Sequence, residues 1–339
     1  MSQDLLNTYV IGFDRAIRET VEVKGGKLRP YVQLATGDLY RKEGVYQRTS
    51  GGGLPQKVTN RFGDSPVSEL DYSRRRTSRI AYQDGQFMDW ADLSKMGTDP
   101  RNAKLTAMKN KFLRQEDITL DQALLGSANN TDIETSASTV TLSNNVSSIY
   151  DGATAVTKDF TYEGFLSVLS QFGNNNVDIE NTAPVFKISW NQWKAMMDDD
   201  NFINFDYTAQ RPIDGSVGIY DYMGAKFCIS NIVPYFGAAT CSVGNGETVG
   251  DLKIADSDLD VANGTWKAVE VSDEKYRACY AFAPTAALFE INPDMTTKVS
   301  ERADKGFNYY AYMKAEFGAV RMEEEKVVVI PVKEGGDSD

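Results

Sequence analysis

Leu6, Tyr9, Val10, Phe13, Ile17 and Val21 recur every three or four positions, the spacing that gathers side chains on one face of a helix. A helix is therefore predicted over 3–22, stopped by Gly25-Gly26. Its apolar stripe needs cover, from the chain's own core or from a neighbouring molecule. The pattern then thins. Over 37–85 the apolar positions are sparse (Val45, Leu54, Val58, Phe62, Val67, Leu70) around Gly51-Gly52-Gly53. Two alternating stretches, near 39–48 and 69–82, predict a long two-stranded ribbon. Such a ribbon is marginal alone in water, and an unstructured connection of that length is out of place inside a compact domain. It is expected to lie across a neighbouring molecule.

The strongest helical signal spans 99–125. Asp99 suits the N-cap and Pro100 the first helical position. Leu105, Met108, Phe112, Leu120 and Leu124 share one side, and Gly126 closes the helix. At 1.5 Å per residue it runs roughly 40 Å, with a local irregularity expected at Ile118-Thr119. Residues 127–158, rich in Ser, Asn and Thr, read as a polar loop region with a short strand near 139–142. A mixed α/β segment follows: a helix around Phe165, Leu166, Leu169 and Phe172, a buried strand at 184–190, a helix at 191–199 and a strand at 223–229. Residues 235–276, rich in Gly, Asn and Asp, read as an inserted lobe or long loop. A last block opens at 277–282, with strands expected at 290–299 and 307–317. In the latter, Phe307, Tyr309, Ala311, Met313, Ala315 and Phe317 fall on one face by period two. The charged turn Glu323-Glu324-Glu325-Lys326 is expected to pair 307–317 with 327–330 as antiparallel strands over the long helix.

Composition narrows the function classes. The chain has 339 residues, 41% of them hydrophobic, enough for one large core or two ordinary ones. No stretch is apolar for long enough to predict a membrane-spanning helix, and the start MSQDLLNTYV lacks the pattern of a secretory signal. Cys228, Cys241 and Cys279 form no CxxC pair, so neither a disulfide framework nor a zinc site is expected. There is no histidine, which removes Ser-His-Asp and Cys-His nucleophiles, His-ligated metals and imidazole acid–base chemistry. Net charge is −12, unevenly spread: 20 Lys/Arg against 16 Asp/Glu over 1–125, and 16 against 32 over 126–339. A mildly basic first part could dock on the acidic part of another copy. The acidity disfavours a dedicated nucleic-acid binder.

Candidate chemistry is thin. Asp256, Asp258 and Asp260 alternate like a calcium loop, but Val261 and Lys267 stand where the glycine and the bidentate glutamate belong. Asp198-Asp199-Asp200 reads as a polar helix end rather than a metal cluster. No phosphate-loop pattern occurs. No cofactor, metal or catalytic residue is expected. The most concentrated charge is Arg74-Arg75-Arg76 with Arg79. Its guanidinium forks suit carboxylates on another subunit; strand alternation would send Arg74 and Arg76 to one face and Arg75 to the other. On this reading, charge reversal at Arg75 blocks assembly and leaves the monomer folded.

Three strings carry a resemblance: Ser73-Arg74-Arg75-Arg76; Trp90-Ala91-Asp92-Leu93 followed by Asp99-Pro100; and Asp304-Lys305-Gly306 through Gly318-Ala319-Val320-Arg321-Met322-Glu323-Glu324-Glu325-Lys326-Val327-Val328. With the order of elements, the chain resembles the major capsid proteins of tailed bacteriophages with the Hong Kong 97-type fold. The resemblance implies an α+β fold and no enzyme activity. It implies an N-arm (1–36), an extended loop (37–88), a peripheral domain (89–160 and 285–334) around a spine helix, and a mixed α/β axial domain (161–284) with the 235–276 insertion; 335–339 is a flexible tail. It further implies hexamers and pentamers closing an icosahedral head, with portal and scaffolding proteins as partners. Packaged double-stranded DNA would be held by weak non-specific contact, no membrane would be involved, and assembly would take place in the host cytoplasm. Inter-subunit contacts are expected at Arg74, Arg75, Arg76 and Arg79, at Leu6, Phe13 and Ile17, and at Glu323, Glu324 and Glu325. Alternatives from other classes are a tail tube or sheath subunit, a carboxylate-based hydrolase and a surface adhesin.

Overall fold

The computed structural model describes residues 25–35, 43–50, 54–55, 57, 70–88, 101–130, 138–140, 159–199, 202, 221–237, 251–271, 274–292 and 294–334. The helix expected over 3–22, with Leu6, Phe13 and Ile17, lies outside them, as do residues 89–100 and the tail. Along the chain come β1 (Gln33–Leu34), β2 (Glu43–Ser50), β3 (Asp71–Ser78), β4 (Ile80–Met88), α1 (Arg101–Leu125), β5 (Ala128–Asn130) and β6 (Ser138–Val140). Then follow α2 (Tyr162–Asn174), β7 (Val185–Ile188), α3 (Trp190–Asp198), β8 (Asp221–Tyr222), β9 (Ala225–Ile229), β10 (Tyr235–Gly237) and β11 (Asp251–Lys253). The last are β12 (Leu259–Asp260), β13 (Thr265–Trp266), β14 (Glu270–Val271), β15 (Glu274–Phe282), β16 (Ala287–Ile291), β17 (Thr296–Arg302), β18 (Asn308–Arg321) and β19 (Val327–Glu334).

Two sheets share α1. The first runs β1-β16-β18-β17, with β4 also on β18; the second runs β11-β10-β15-β7-β9-β8, with β14 and β19 also on β15. In the first, β18 turns Ala311, Met313, Ala315 and Phe317 inward onto Met108, Phe112, Leu120 and Leu124 of α1. The second is buried on both faces. Tyr280, Phe282, Val327 and Val329 point to the α1 side, while Ala281, Val328, Ile330 and Val332 join Phe165 and Phe172 of α2. Rings of Phe165, Phe186 and Phe227 fill that second core, with neighbouring centroids 5.2 Å apart. Thr161 and Ser189 cap α2 and α3, each accepting from the backbone N–H three residues on.

The ribbon is a real hairpin: β2 and β3 pair from Glu43↔Ser78 to Ser50↔Asp71. Its sheet continues through β5 and β6, so part of the expected loop 127–158 is strand. After Arg79 the chain changes sheets, and β4 pairs β18 from Phe317↔Ile80 to Tyr309↔Met88.

Several expectations are corrected. β18 and β19 do not pair: the 323–326 turn carries the chain from the first sheet to the second, where β19 lies on β15 from Lys275↔Glu334 to Phe282↔Val327. The physical sign is the run VVVIPV, which lacks alternation because both faces are buried. The expected strand 290–299 is two, β16 and β17, broken at the Asn-Pro-Asp sequence of 292–294, where a proline offers no N–H to a ladder. Phe307 leaves the apolar face: its φ is 58° and 66% of it is exposed. Met223 stands in a turn, φ 47°, ahead of β9. Within 235–276 the described strands join the body of the fold. β10, β11 and β14 belong to the second sheet, and the β12–β13 hairpin packs on α1 through Trp266, Tyr235 and Ile118.

Candidate interaction surface

The arginine cluster divides by strand alternation. Arg75 is 2% exposed. Its Nη2 donates to Glu324 Oε1 at 2.8 Å and Oε2 at 2.9 Å. Across the ribbon, Arg48 Nη1 donates to Glu324 Oε2 at 3.2 Å and to the Met322 carbonyl at 3.0 Å. Arg321 Nε lies 3.6 Å from Glu324 Oε1. Glu324 thus gathers three guanidinium groups. Arg321 also caps α1, donating to the carbonyls of Leu124, at 2.8 Å, and of Gly126, where the helix dipole favours a cation. Burial pulls the Arg321 pKa below its usual value, against the pull of Glu324.

The ribbon's inner face is therefore held by its own chain. Tyr46 donates to the buried Glu290 of β16, and Gly44 sits where a Cβ would collide with that carboxylate. Arg79 is also turned inward, 3.7 Å from Glu316, donating to the Asn292 carbonyl at 3.4 Å. Arg76 pairs with Glu43 near the surface. Arg74 makes no ion pair with a described residue. The outward face of the ribbon brings together Val45, Gln47 and Thr49 with Arg76, Arg74 and Tyr72, register partners in that order; Tyr72 is 70% exposed. Glu323 pairs with Lys326 at 2.8 Å, and the Glu325 carbonyl accepts from Asn175. What the sequence left unread was the role of Glu324: one glutamate among three gives no sign of which is buried.

A second exposed face belongs to the first sheet. Phe87 and Tyr310 are register partners with ring centroids 4.6 Å apart, Tyr310 lies over Gly85, and Tyr312 stacks beside it at 6.2 Å. The Arg302 guanidinium lies 5.5 Å above the Tyr310 ring.

The acids considered as metal ligands have local duties. Asp256 accepts from Gln122, Asp258 from the Ala255 N–H, and Asp260 from the N–H groups of Ala262 and Asn263. Asp199 accepts from the Tyr162 N–H. Among the described residues, no group of three or more metal-ligating side chains converges, and none of the helices is long and apolar enough to cross a membrane. The buried acids of α1 are engaged inside the fold. Asp121 accepts from Lys187 Nζ at 2.5 Å, Tyr280 Oη at 2.6 Å and Trp266 Nε1 at 3.1 Å. A cavity of about 560 Å³ opens beside Trp266; of its two lining arginines, Arg114 and Arg277, the latter is held by Glu334 and by the Asn231 and Val233 carbonyls.

A family model described as phage capsid protein matches residues 5–334. No curated protein matches. Among solved structures, the capsid of the cyanophage P-SCSP1u aligns with TM-score 0.69 at 11% identity, covering 96% of this chain and 93% of that one. The head of Helicobacter pylori bacteriophage KHP40 aligns with TM-score 0.67 at 10% identity, covering 98% of each chain. The capsid of Ralstonia phage GP4 gives 0.64 at 11%, covering 98% and 97%. At these identities the likeness is one of fold, a mixed α/β architecture with few helices and many strands.

Proposed function

The chain belongs to the phage capsid protein family, and from that membership we propose that it closes an icosahedral phage head as hexamers and pentamers around double-stranded DNA. Its role is structural and not enzymatic: it is a major capsid protein of the virion. In this reading, α1 is the spine helix and the first sheet its peripheral plate. The second sheet as far as β15, with α2 and α3, is the axial domain, which β19 joins from the peripheral segment 285–334; the ribbon is the extended loop, and residues 1–36 the N-arm. Portal and scaffolding proteins are its assembly partners, and DNA is held weakly by an acidic shell.

The observation that carries the reading is the two-sidedness of the ribbon. One face is pinned to its own chain through Glu324 and Glu290; the other offers Tyr72, Val45, Arg74 and Arg76 to something else. Arg74 and Arg76, with Leu6, Phe13 and Ile17, are the inter-subunit contacts of this proposal. Arg75, Arg79 and Glu324 set the angle at which the ribbon leaves the body, and Glu323 and Glu325 flank that anchor. Weak exposed pairs, about 0.2–1 kcal/mol each, become decisive when every interface of a closed shell repeats them.

The test is electron microscopy of the chain co-expressed with its presumed scaffold. Wild type gives closed spherical shells. Arg74→Glu gives folded, unassembled protein with unchanged circular dichroism. Helical tubes instead of shells would overturn the reading, and normal shells from Arg74→Glu would remove the ribbon's outer face from it.

A further inference from the structure

Residues 25–35 form a strap across α1. Gly25 passes so close that a Cβ there would lie 2.3 Å from the Arg114 backbone nitrogen. The Gly26 N–H donates to the Leu113 carbonyl at 3.0 Å. The next two N–H groups, of Lys27 and Leu28, donate to the two oxygens of Asp117 at 3.2 and 3.1 Å. Lys27 Nζ reaches the Ile229 carbonyl at the end of β9. Arg29 then forks, Nη1 to Glu116 Oε1 at 3.4 Å and Nη2 to Asp294 Oδ2 at 3.0 Å. The strap ends as β1, parallel to β16, with the Ala35 N–H on the Phe289 carbonyl. It therefore ties α1 to both sheets.

Glu116 is the poorly satisfied member of this arrangement. Its side chain is 0% exposed, its contact with Arg29 is long, and Oε2 has no hydrogen-bond partner among the described residues. Arg29 faces it from the strap, Asp117 from its own helix and Asp294 from the segment after β16; the two acids oppose a further negative charge on Glu116. A buried carboxylate needs hydrogen bonds to replace its water, and a neutral carboxyl needs fewer.

We propose that Glu116 is a proton-operated latch: its neutral carboxyl seats the strap 25–35 on α1, and its ionisation loosens it. The latch belongs to the single chain, so it stands whether or not that chain closes a shell. Burial, partly opposed by Arg29, pushes the Glu116 pKa from 4.5 up to about 7. In the loosened strap the carboxyl meets water and titrates near its ordinary value. Between the two values the seated form holds a proton that the loosened form has lost. Seating therefore weakens as pH rises through that window, by at most about tenfold per pH unit for one proton, and levels off above it.

Hydrogen exchange of the full chain followed by mass spectrometry tests this. Opening of the 25–35 peptide, after correction for intrinsic exchange and against the β18 peptide, rises from pH 5 to pH 7 and is flat above. Glu116→Gln abolishes the rise and keeps the strap protected at pH 8. Asp294→Asn, which removes a facing acid at an exposed position, moves the rise to lower pH. A strap opening independent of pH in wild type overturns the proposal, whatever the variants do. So does a Glu116→Gln profile equal to wild type, or an Asp294→Asn rise that stays in place.

Discussion

Arg75 and Glu324, 249 residues apart in sequence, meet through one guanidinium nitrogen and both carboxylate oxygens at 2.8 and 2.9 Å. Removing Glu324 strands Arg75 in a buried position, at a cost of about 3 kcal/mol, whereas removing Arg75 leaves Glu324 with Arg48 and Arg321 and costs less. Arg75→Met and Glu324→Gln are each expected to lower the urea midpoint accordingly. Arg74→Met, one position along on the outer face, should stay within about 0.5 kcal/mol of wild type. A charge reversal at Arg75 thus reads folding as well as assembly, which makes Arg74 the cleaner probe of an interface.

Alternation along 72–78 was legible in sequence, so the division of Arg75 from Arg74 and Arg76 was too. The ribbon, the long helix with its Gly126 stop and the second α/β block were also readable, because their apolar periods are regular. Partner choice between strands was not. VVVIPV at 327–332 looked like the return arm of a hairpin because the charged turn before it is short. Its missing alternation marked a strand covered on both sides. Nor could the sequence show that Glu116, Asp117 and Asp121 of α1 are buried. Their compensating groups come from 25–29, 187, 266 and 280, and no local pattern links those positions.

Trp266 joins the β12–β13 hairpin to α1 by a hydrogen bond to Asp121, a carboxylate that already serves Lys187 and Tyr280. Trp266→Phe keeps most of the packing and deletes that donor. The expected loss is about 1–3 kcal/mol for a buried bond to a charged group. Faster proteolysis confined to 251–267 would show that the bond pins this segment; unchanged protection would assign the pinning to apolar packing alone.

Burial pushes the Cys228 thiol up to about 11 and the Cys279 thiol to about 12. Neither presents thiolate at neutral pH, so peptide mapping after iodoacetamide at pH 8 should find both unmodified in the native chain and modified in urea. The linkage has a definite sign. Above the ordinary thiol value of 9 the unfolded chain loses protons that the native chain keeps, so stability falls as pH rises from 9 towards 11.

Two glycines give opposite expectations for the same substitution. At Gly25 a methyl group would meet the α1 backbone at 2.3–2.5 Å, and backbone atoms cannot swing aside. Gly25→Ala should lift the strap, so that trypsin cuts at Lys27 while β18 stays protected. At Gly173, inside α2, a Cβ meets nothing within 4 Å. There alanine removes unfolded-state freedom without strain and should raise stability by about 0.4–1 kcal/mol. If both variants shifted the thermal midpoint in the same direction, the close approach of the strap to the helix would not be what fixes residue 25 as glycine.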